Sequence, residues 1–245
     1  MHHDLAQQTA LVTGATAGIG RATALALAAR GADVVVHGRD EQRAADTVRR
    51  IEALGAKARF EPADLSDPAQ VTALADRAGA VDILVNNAGI FHFARTVDTT
   101  PATFDAHIDI NLRAPYLLVQ ALAPGMAERG RGAIINVSSG AAGTPGLGSG
   151  VYGATKAALE SLTRVWAAEF GPAGVRVNAV AAGPTRTEGT AGYGDAFESA
   201  GQAVALRRLA DPEEIAGAIA FMACSDASYV NGATLLAMGG QPALG

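Results

Sequence analysis

Along the chain, short β-branched apolar runs are separated by longer stretches in which Ala and Leu recur among polar residues. "TALVTG" (9–14) leads into "GIGRATALALAARG", a helical pattern that stops at Gly31, as a C-terminal cap does. "DVVVHG" (33–38) precedes "DEQRAADTVRRIEALG", which again closes on a glycine. "ARFEPADL", "VDILVNNAG", "GAIINVSS", "GVRVNAVAAG" and "ATLLAM" bring the predicted strands to seven, with helices expected near 67–78, 101–129, 152–170 and 211–223. Val and Ile run consecutively instead of alternating with polar residues, so these strands are expected to be covered on both faces, as in a parallel sheet. The pattern predicts an α/β chain with one doubly wound, parallel, seven-stranded sheet and helices on both faces.

The region that breaks this rhythm is "PTRTEGTAGYGDAFESAGQA" (184–203). It is glycine-rich and follows a strand, where an open α/β sheet binds its ligand, so a mobile substrate lid over about 184–208 is expected. A plain surface loop is the alternative. No linker, repeat or low-complexity tract divides the chain, and 1–245 reads as a single domain.

Composition narrows the function. With 19 basic and 24 acidic residues the net charge is −5, which gives no electrostatic case for nucleic acid. The start, "MHHDLAQQTA", lacks the basic region and apolar run of a signal peptide, and no apolar run is long enough to span a bilayer. Cys224 stands alone, so neither an intrachain disulfide nor a thiolate zinc cluster is expected, in keeping with a reducing cytoplasm. His2, His3, His37, His92 and His107 are scattered without metal-site spacing. The expectation is a soluble cytoplasmic protein with no metal, nucleic-acid or membrane partner.

"TGATAGIG" (13–20) joins the first strand to the first helix. Gly14 permits a sharp turn, while Gly18 and Gly20 allow backbone and helix to approach a ligand closely. The N-terminal amides of that helix then face a pyrophosphate, as in a Rossmann fold. At the end of the second strand, "VVVHGRDEQR" has Gly38 where an acid would read the adenosine ribose, followed by Arg39. A guanidinium suits the 2′-phosphate, so NADP(H) is expected, with NAD(H) as the alternative. Asp40 complicates this, since it could cap the next helix or pair with Arg39.

"VYGATKAALE" places Tyr152 and Lys156 at i and i+4, on one helix face. With "TGATAGIG", "NNAG" (86–89), Asn111 in "NLRAPY" and "NVSS" (136–139), and a 13-residue step from Ser139 to Tyr152, the chain resembles the short-chain dehydrogenase/reductase family along essentially its whole length. The resemblance implies an NADP(H)-dependent oxidoreductase acting on CH–OH groups, interconverting a ketone or aldehyde and an alcohol. Tyr152 would be the general acid/base, its phenol lowered by the Lys156 ammonium and the oxidised nicotinamide. Ser139 would orient the substrate carbonyl, and Asn111 would hold a water linked to Lys156. Lys156 would also hold the nicotinamide ribose.

The resemblance further assigns cofactor contacts to Thr13, Gly14, Thr16, Gly18, Ile19 and Gly20, to Asp64 and Leu65 at the adenine, and to Asn87, Ala88 and Gly89 at the ribose. Gly183, Thr185 and Thr187 follow the sixth strand, although Ala182 replaces the family's usual proline there. Met238 stands where many relatives carry an aspartate. Trp166 and the apolar faces of helix 152–170 suggest packing against a second subunit, hence a homotetramer as in many relatives.

Phe91, Phe93, Leu147, Tyr193 and Phe197 are candidates for the substrate pocket, which points to a neutral or aromatic carbonyl or alcohol. A 3-oxoacyl-[acyl-carrier-protein] reductase is the alternative, for which Arg129 and Arg131 are candidate docking bases. A catalytically silent cofactor-binding regulator would be a different class, but it would lack one of Ser, Tyr or Lys.

Overall fold

The computed structural model describes residues 4–240, so His2, His3 and the tail 241–245 lie outside the described residues. Seven strands form one parallel sheet: β1 (Thr9–Val12), β2 (Asp33–Gly38), β3 (Ala58–Pro62), β4 (Ile83–Asn86), β5 (Gly132–Ser139), β6 (Val175–Ala182) and β7 (Thr234–Ala237). Their order is β3-β2-β1-β4-β5-β6-β7. The chain winds outward from β1 to β3, then crosses back to β4 on the other side of β1. The loops leaving β1 and β4 therefore diverge, and open a crevice at the carboxyl ends of the strands.

The five inner strands bury both faces, while the edge strands β3 and β7 stay partly exposed. Ala10 and Val12 of β1 and Val34 and Val36 of β2 pack into one layer with Leu27 of α1 (Gly18–Ala29) and Ile51 of α2 (Glu41–Glu52). Leu11 and Val35 point the other way, toward Leu74 of α3 (Pro68–Ala78). The consecutive Val and Ile runs have this cause: neighbouring side chains enter opposite cores.

The span 101–129 was expected to be one helix. It forms α4 (Pro101–Ile108), a π-type turn (Asp109–Arg113) and α5 (Ala114–Glu128). Pro115 lacks the N–H that would bond to the carbonyl four residues back, and the widened turn lies immediately before it. The longest helix is α6 (Gly150–Phe170). Residues 184–203, read as irregular, contain α7 (Gly194–Ala203), a helix that the glycine content argued against. α8 (Pro212–Ala223) then packs Ile215 and Ile219 beside α1 before β7 closes the sheet.

Candidate active site

β5 ends at Ser139 and α6 begins eleven residues later, so the sheet's carboxyl edge carries Ser139 while the first turns of α6 carry Tyr152 and Lys156. The Ser139 side chain lies by the Tyr152 hydroxyl and favours its ionised form. Lys156 is buried, and its Nζ donates to the Val137 carbonyl at 2.8 Å. That nitrogen lies 5.9 Å from the centroid of the Tyr152 ring.

The charges differ from expectation. Burial pushes the Tyr152 phenol above its ordinary value, and the Ser139 side chain only offsets this in part. Burial also lowers Lys156, to about 8. With Lys156 over its ring, the phenol is still held above its ordinary value.

Asn111 belongs to the π-type turn and is fully buried. Its Oδ1 accepts from the Ile90 N–H at 2.8 Å, and its Nδ2 donates to the Ile90 carbonyl at 2.9 Å and to Thr155 Oγ1 at 3.3 Å. The side chain thus clamps the segment after β4 to α6. Gly89 passes between the two groups: a Cβ there would lie 3.2 Å from Asn111 Oδ1 and 3.5 Å from Lys156 Nζ.

At the glycine loop, Gly14 and Gly18 adopt positive φ, at 65° and 50°. Gly20 serves the chain's own packing more than a ligand's approach. A Cβ there would fall 2.2 Å from the Gly14 carbonyl oxygen and 2.4 Å from Asn87 Nδ2. Thr13 is likewise committed: its hydroxyl donates to Val85 O and accepts the N–H groups of Asn87 and Ala88. Asn87 Nδ2 returns a bond to Thr13 O at 2.8 Å. These contacts lock the ends of β1 and β4 together under the crevice.

Asp40 resolves in favour of the cap. Its carboxylate accepts the Arg43 N–H at 2.9 Å and Arg43 Nε at 2.7 Å. Arg39 is exposed, makes no ion pair among the described residues, and lines a cavity of about 1080 Å³ with Thr16, Gly38, Asp64 and Leu65. Asp64 turns Oδ1 to the N–H and hydroxyl of Ser66, and both bonds hold its carboxyl below the usual range.

Sequence reasoning missed two residues at this end. His37 is buried; its Nδ1 accepts the Gly14 N–H at 3.2 Å, which makes Nε2 the donor to Ala63 O at 3.1 Å. Burial lowers its pKa to about 4. A polar side chain in a strand covered on both faces must find partners, and that was the available signal. The second is Glu188, whose Oε2 accepts the Gly18 N–H at 3.0 Å. No local pattern announced it.

A second cavity, of about 500 Å³, adjoins the first through Ala17, Asn87 and Gly89. Ser139, Tyr152, Phe91, Phe93, Phe197 and Met238 line it. Phe91 and Phe93 meet the Tyr152 ring edge-on at 6.3 and 5.9 Å between centroids, and Tyr193 closes over both. The Tyr193 hydroxyl donates to Phe91 O at 3.1 Å. Leu147 takes no part: it is fully exposed.

Thr185 is buried, its hydroxyl donating to Gly183 O, and Thr187 packs its methyl group where a Cβ on Gly18 would lie 3.0 Å away. With Ala182 before it, Gly183 still makes the turn, because a Cβ there would meet Met238 Cα at 2.7 Å. Met238 lies against Gly140 and the cavity. Trp166, expected at a subunit contact, is buried in the chain's own core.

Arg129 and Arg131 flank Asp82, just before β4, and so lie at the amino ends of the strands, opposite the crevice. Arg95 and Arg186 pair with Asp98 and Glu198 and line neither cavity.

Fold and site together define an oxidoreductase on a dinucleotide-binding scaffold. A family model described as enoyl-(acyl carrier protein) reductase matches residues 14–241. A solved short chain dehydrogenase/reductase family protein is 52% identical, covering 97% of this chain and 98% of its own, with a TM-score of 0.91. A blue fluorescent protein from a metagenomic library, solved with NADPH, is 37% identical over 97% and 98% of the two chains, with a TM-score of 0.92. The cis-4-hydroxycyclohexanecarboxylate dehydrogenase of Sinomonas cyclohexanicum is 40% identical over the whole of both chains. The chain belongs to the short-chain dehydrogenase/reductase family, whose members interconvert carbonyl and alcohol groups.

Proposed function

We propose that the chain interconverts a neutral ketone or aldehyde and its alcohol with NADP(H), using Tyr152 as the general acid/base. The carrying observation is the Tyr152–Ser139 hydroxyl pair beside buried Lys156, at the floor of an apolar cavity that adjoins the glycine loop. The loop suits a dinucleotide, because a carboxylate is already held by the Gly18 N–H and Arg21, as an anion would be. Arg39, left without a carboxylate partner by the turn of Asp40 toward Arg43, would take the 2′-phosphate. The NADPH of the metagenomic relative supports the same choice. Asp64 would meet the adenine, and Thr185 and Thr187 the far end of the coenzyme.

NADP(H), when bound, supplies or accepts the hydride at the carbonyl carbon. Ser139 donates a hydrogen bond to the carbonyl oxygen and aligns it with the phenol. Tyr152 delivers its proton to that oxygen in reduction and removes it in oxidation. Lys156 holds the ribose hydroxyls and stabilises the phenolate once the proton has left. Asn111 fixes the backbone on which these groups meet.

Lys156 is the one charged side chain among the described residues lining the substrate cavity. A carboxylate, such as the one named in the Sinomonas relative's substrate, meets no free cation there. Neutral, ring-bearing substrates are favoured instead. The acyl-carrier alternative is not favoured, since Arg129 and Arg131 lie at the opposite pole.

The same reading covers the assembly. An apolar groove lined by Ile108, Leu112, Tyr116 and Leu162, and the exposed Leu236 on edge strand β7, are two separate faces that suit the two kinds of two-fold contact in a homotetramer. No helix among the described residues is long and apolar enough to cross a membrane. The lone, buried Cys224 suits the reducing cytoplasm. One sheet built from Thr9 to Ala237 supports a single domain, with 184–208 as its lid.

The test is oxidation of NADPH and of NADH, followed by nicotinamide absorbance, against neutral aromatic and alicyclic ketones and matching keto acids. Turnover of neutral ketones with NADPH supports the reading. Turnover confined to keto acids or to NADH overturns it.

A further inference from the structure

Glu188 connects the lid to the glycine loop. Its Oε2 accepts the Gly18 N–H at 3.0 Å, and its Oε1 accepts from Arg21 Nη2 at 2.6 Å. Gly18 opens α1, and its N–H points where this fold offers hydrogen bonds to a pyrophosphate. The carboxylate is therefore seated at the anion position, 170 residues away in sequence from the amide it occupies. Thr187 lies on the same glycine, and Glu188 and Gly189 line the cavity that holds Arg39.

We infer that Glu188 is an intramolecular stand-in for the pyrophosphate, which a dinucleotide must displace in order to bind. This rests on the NADP(H) reading above. One N–H cannot serve two anions at hydrogen-bond distance, and a phosphate beside a retained carboxylate would be repelled. On displacement Arg21 is released to the incoming phosphates, so the guanidinium changes partners and stays paired.

The exchange reaches the substrate cavity. Residues 187–190 form a turn tied by Thr187 and Thr190, through bonds of 2.9 Å (Thr187 N to Thr190 Oγ1) and 3.2 Å (Thr190 N to Thr187 Oγ1). Three residues on, Tyr193 closes over Phe91. Moving Glu188 off Gly18 shifts the base of this segment, so coenzyme binding repositions the wall of the substrate cavity. Glu188 lowers the apparent affinity for dinucleotide by the fraction of molecules in which it occupies the anion position.

The test titrates the native chain, Glu188→Gln and Glu198→Gln with NADPH and with inorganic pyrophosphate. Glu198 is also on the lid and pairs with Arg186, so its variant removes one charge without touching Gly18. Glu188→Gln is expected to bind both probes about three- to tenfold more tightly, with Glu198→Gln unchanged. Equal or weaker NADPH binding by Glu188→Gln overturns the proposal and leaves the coenzyme assignment standing. An equal gain in both variants also overturns it, since general charge repulsion then explains the effect. Tighter pyrophosphate binding in a chain that binds no NADPH keeps the displacement and removes the coenzyme assignment. Binding of neither probe removes both.

Discussion

The Asp40 carboxylate faces Arg43, accepting its backbone N–H at 2.9 Å and its Nε at 2.7 Å, and turns away from Arg39 beside it in the chain. Two adjacent residues of opposite charge thus have separate tasks: one starts α2, and the other faces the cavity above β2 and β3.

Arg39→Ala is therefore expected to weaken NADPH binding by about ten- to a hundredfold, the worth of a charged hydrogen bond, and to leave NADH unchanged. Asp40→Ala should keep the NADPH preference and cost about 1 kcal/mol of stability through the lost cap. Nicotinamide fluorescence titrations and urea unfolding separate the two. Equal loss of NADPH and NADH affinity in Arg39→Ala would refute the 2′-phosphate contact.

His37 makes stability depend on acid. Its folded pKa of about 4 lies below the ordinary imidazole value of 6.5, so between those values the unfolded chain binds a proton that the folded chain refuses. Stability is fully present above about pH 6.5 and falls as pH drops toward 4, by about 3 kcal/mol at most. Protonation would also remove the acceptor of the Gly14 N–H. Urea midpoints from pH 7 to 4.5 should fall more steeply in the native chain than in His37→Gln, and parallel curves would exclude the histidine as the source.

Tyr152→Phe should lower kcat by about a hundredfold to ten-thousandfold while retaining NADPH affinity, because only the proton donor is removed. Ser139→Ala should lose less, and chiefly kcat. Lys156 loses its charge above about pH 8, so reduction by the native enzyme should decline on that side, while the raised phenol stays protonated across neutral pH. A pH–rate profile flat through 8 would remove Lys156 from the catalytic group.

Glycine substitutions should divide by space. Gly20→Ala drives a methyl group to 2.2 Å from the Gly14 carbonyl oxygen and is expected to cost about 1–3 kcal/mol or more. Gly217→Ala, on α8 with nothing within 4 Å, should stabilise by up to about 1 kcal/mol. Thermal melts of the two variants are enough, and a Gly20→Ala chain as stable as the native one would contradict the packing role.

The strand runs were legible because each carries its own signal. β2 and β5 fall where "DVVVHG" and "GAIINVSS" were read. Tyr152 and Lys156 were legible as neighbours on one helix face, and their role only through the other motifs of the resemblance. The π-type turn at Asn111 was not: its side chain bonds to Ile90 and Thr155, on other elements, and helical periodicity cannot register them. Leu147 and Trp166 were misplaced for a similar reason, because an apolar residue in a loop or helix does not say which surface it meets.

What the sequence determined alone was the winding of the sheet, the glycine loop at its start and the serine, tyrosine and lysine at its carboxyl edge. The first two follow from local periodicity and spacing, and the last three from the resemblance that the surrounding motifs carry. The tertiary structure alone decided where the carboxylates went: Asp40 to Arg43 and Glu188 to Gly18. It also put Arg129 and Arg131 at the wrong pole for a docking surface. A hydrogen bond depends on where both partners arrive in space, and for Glu188 that means 170 residues of chain winding before donor and acceptor meet.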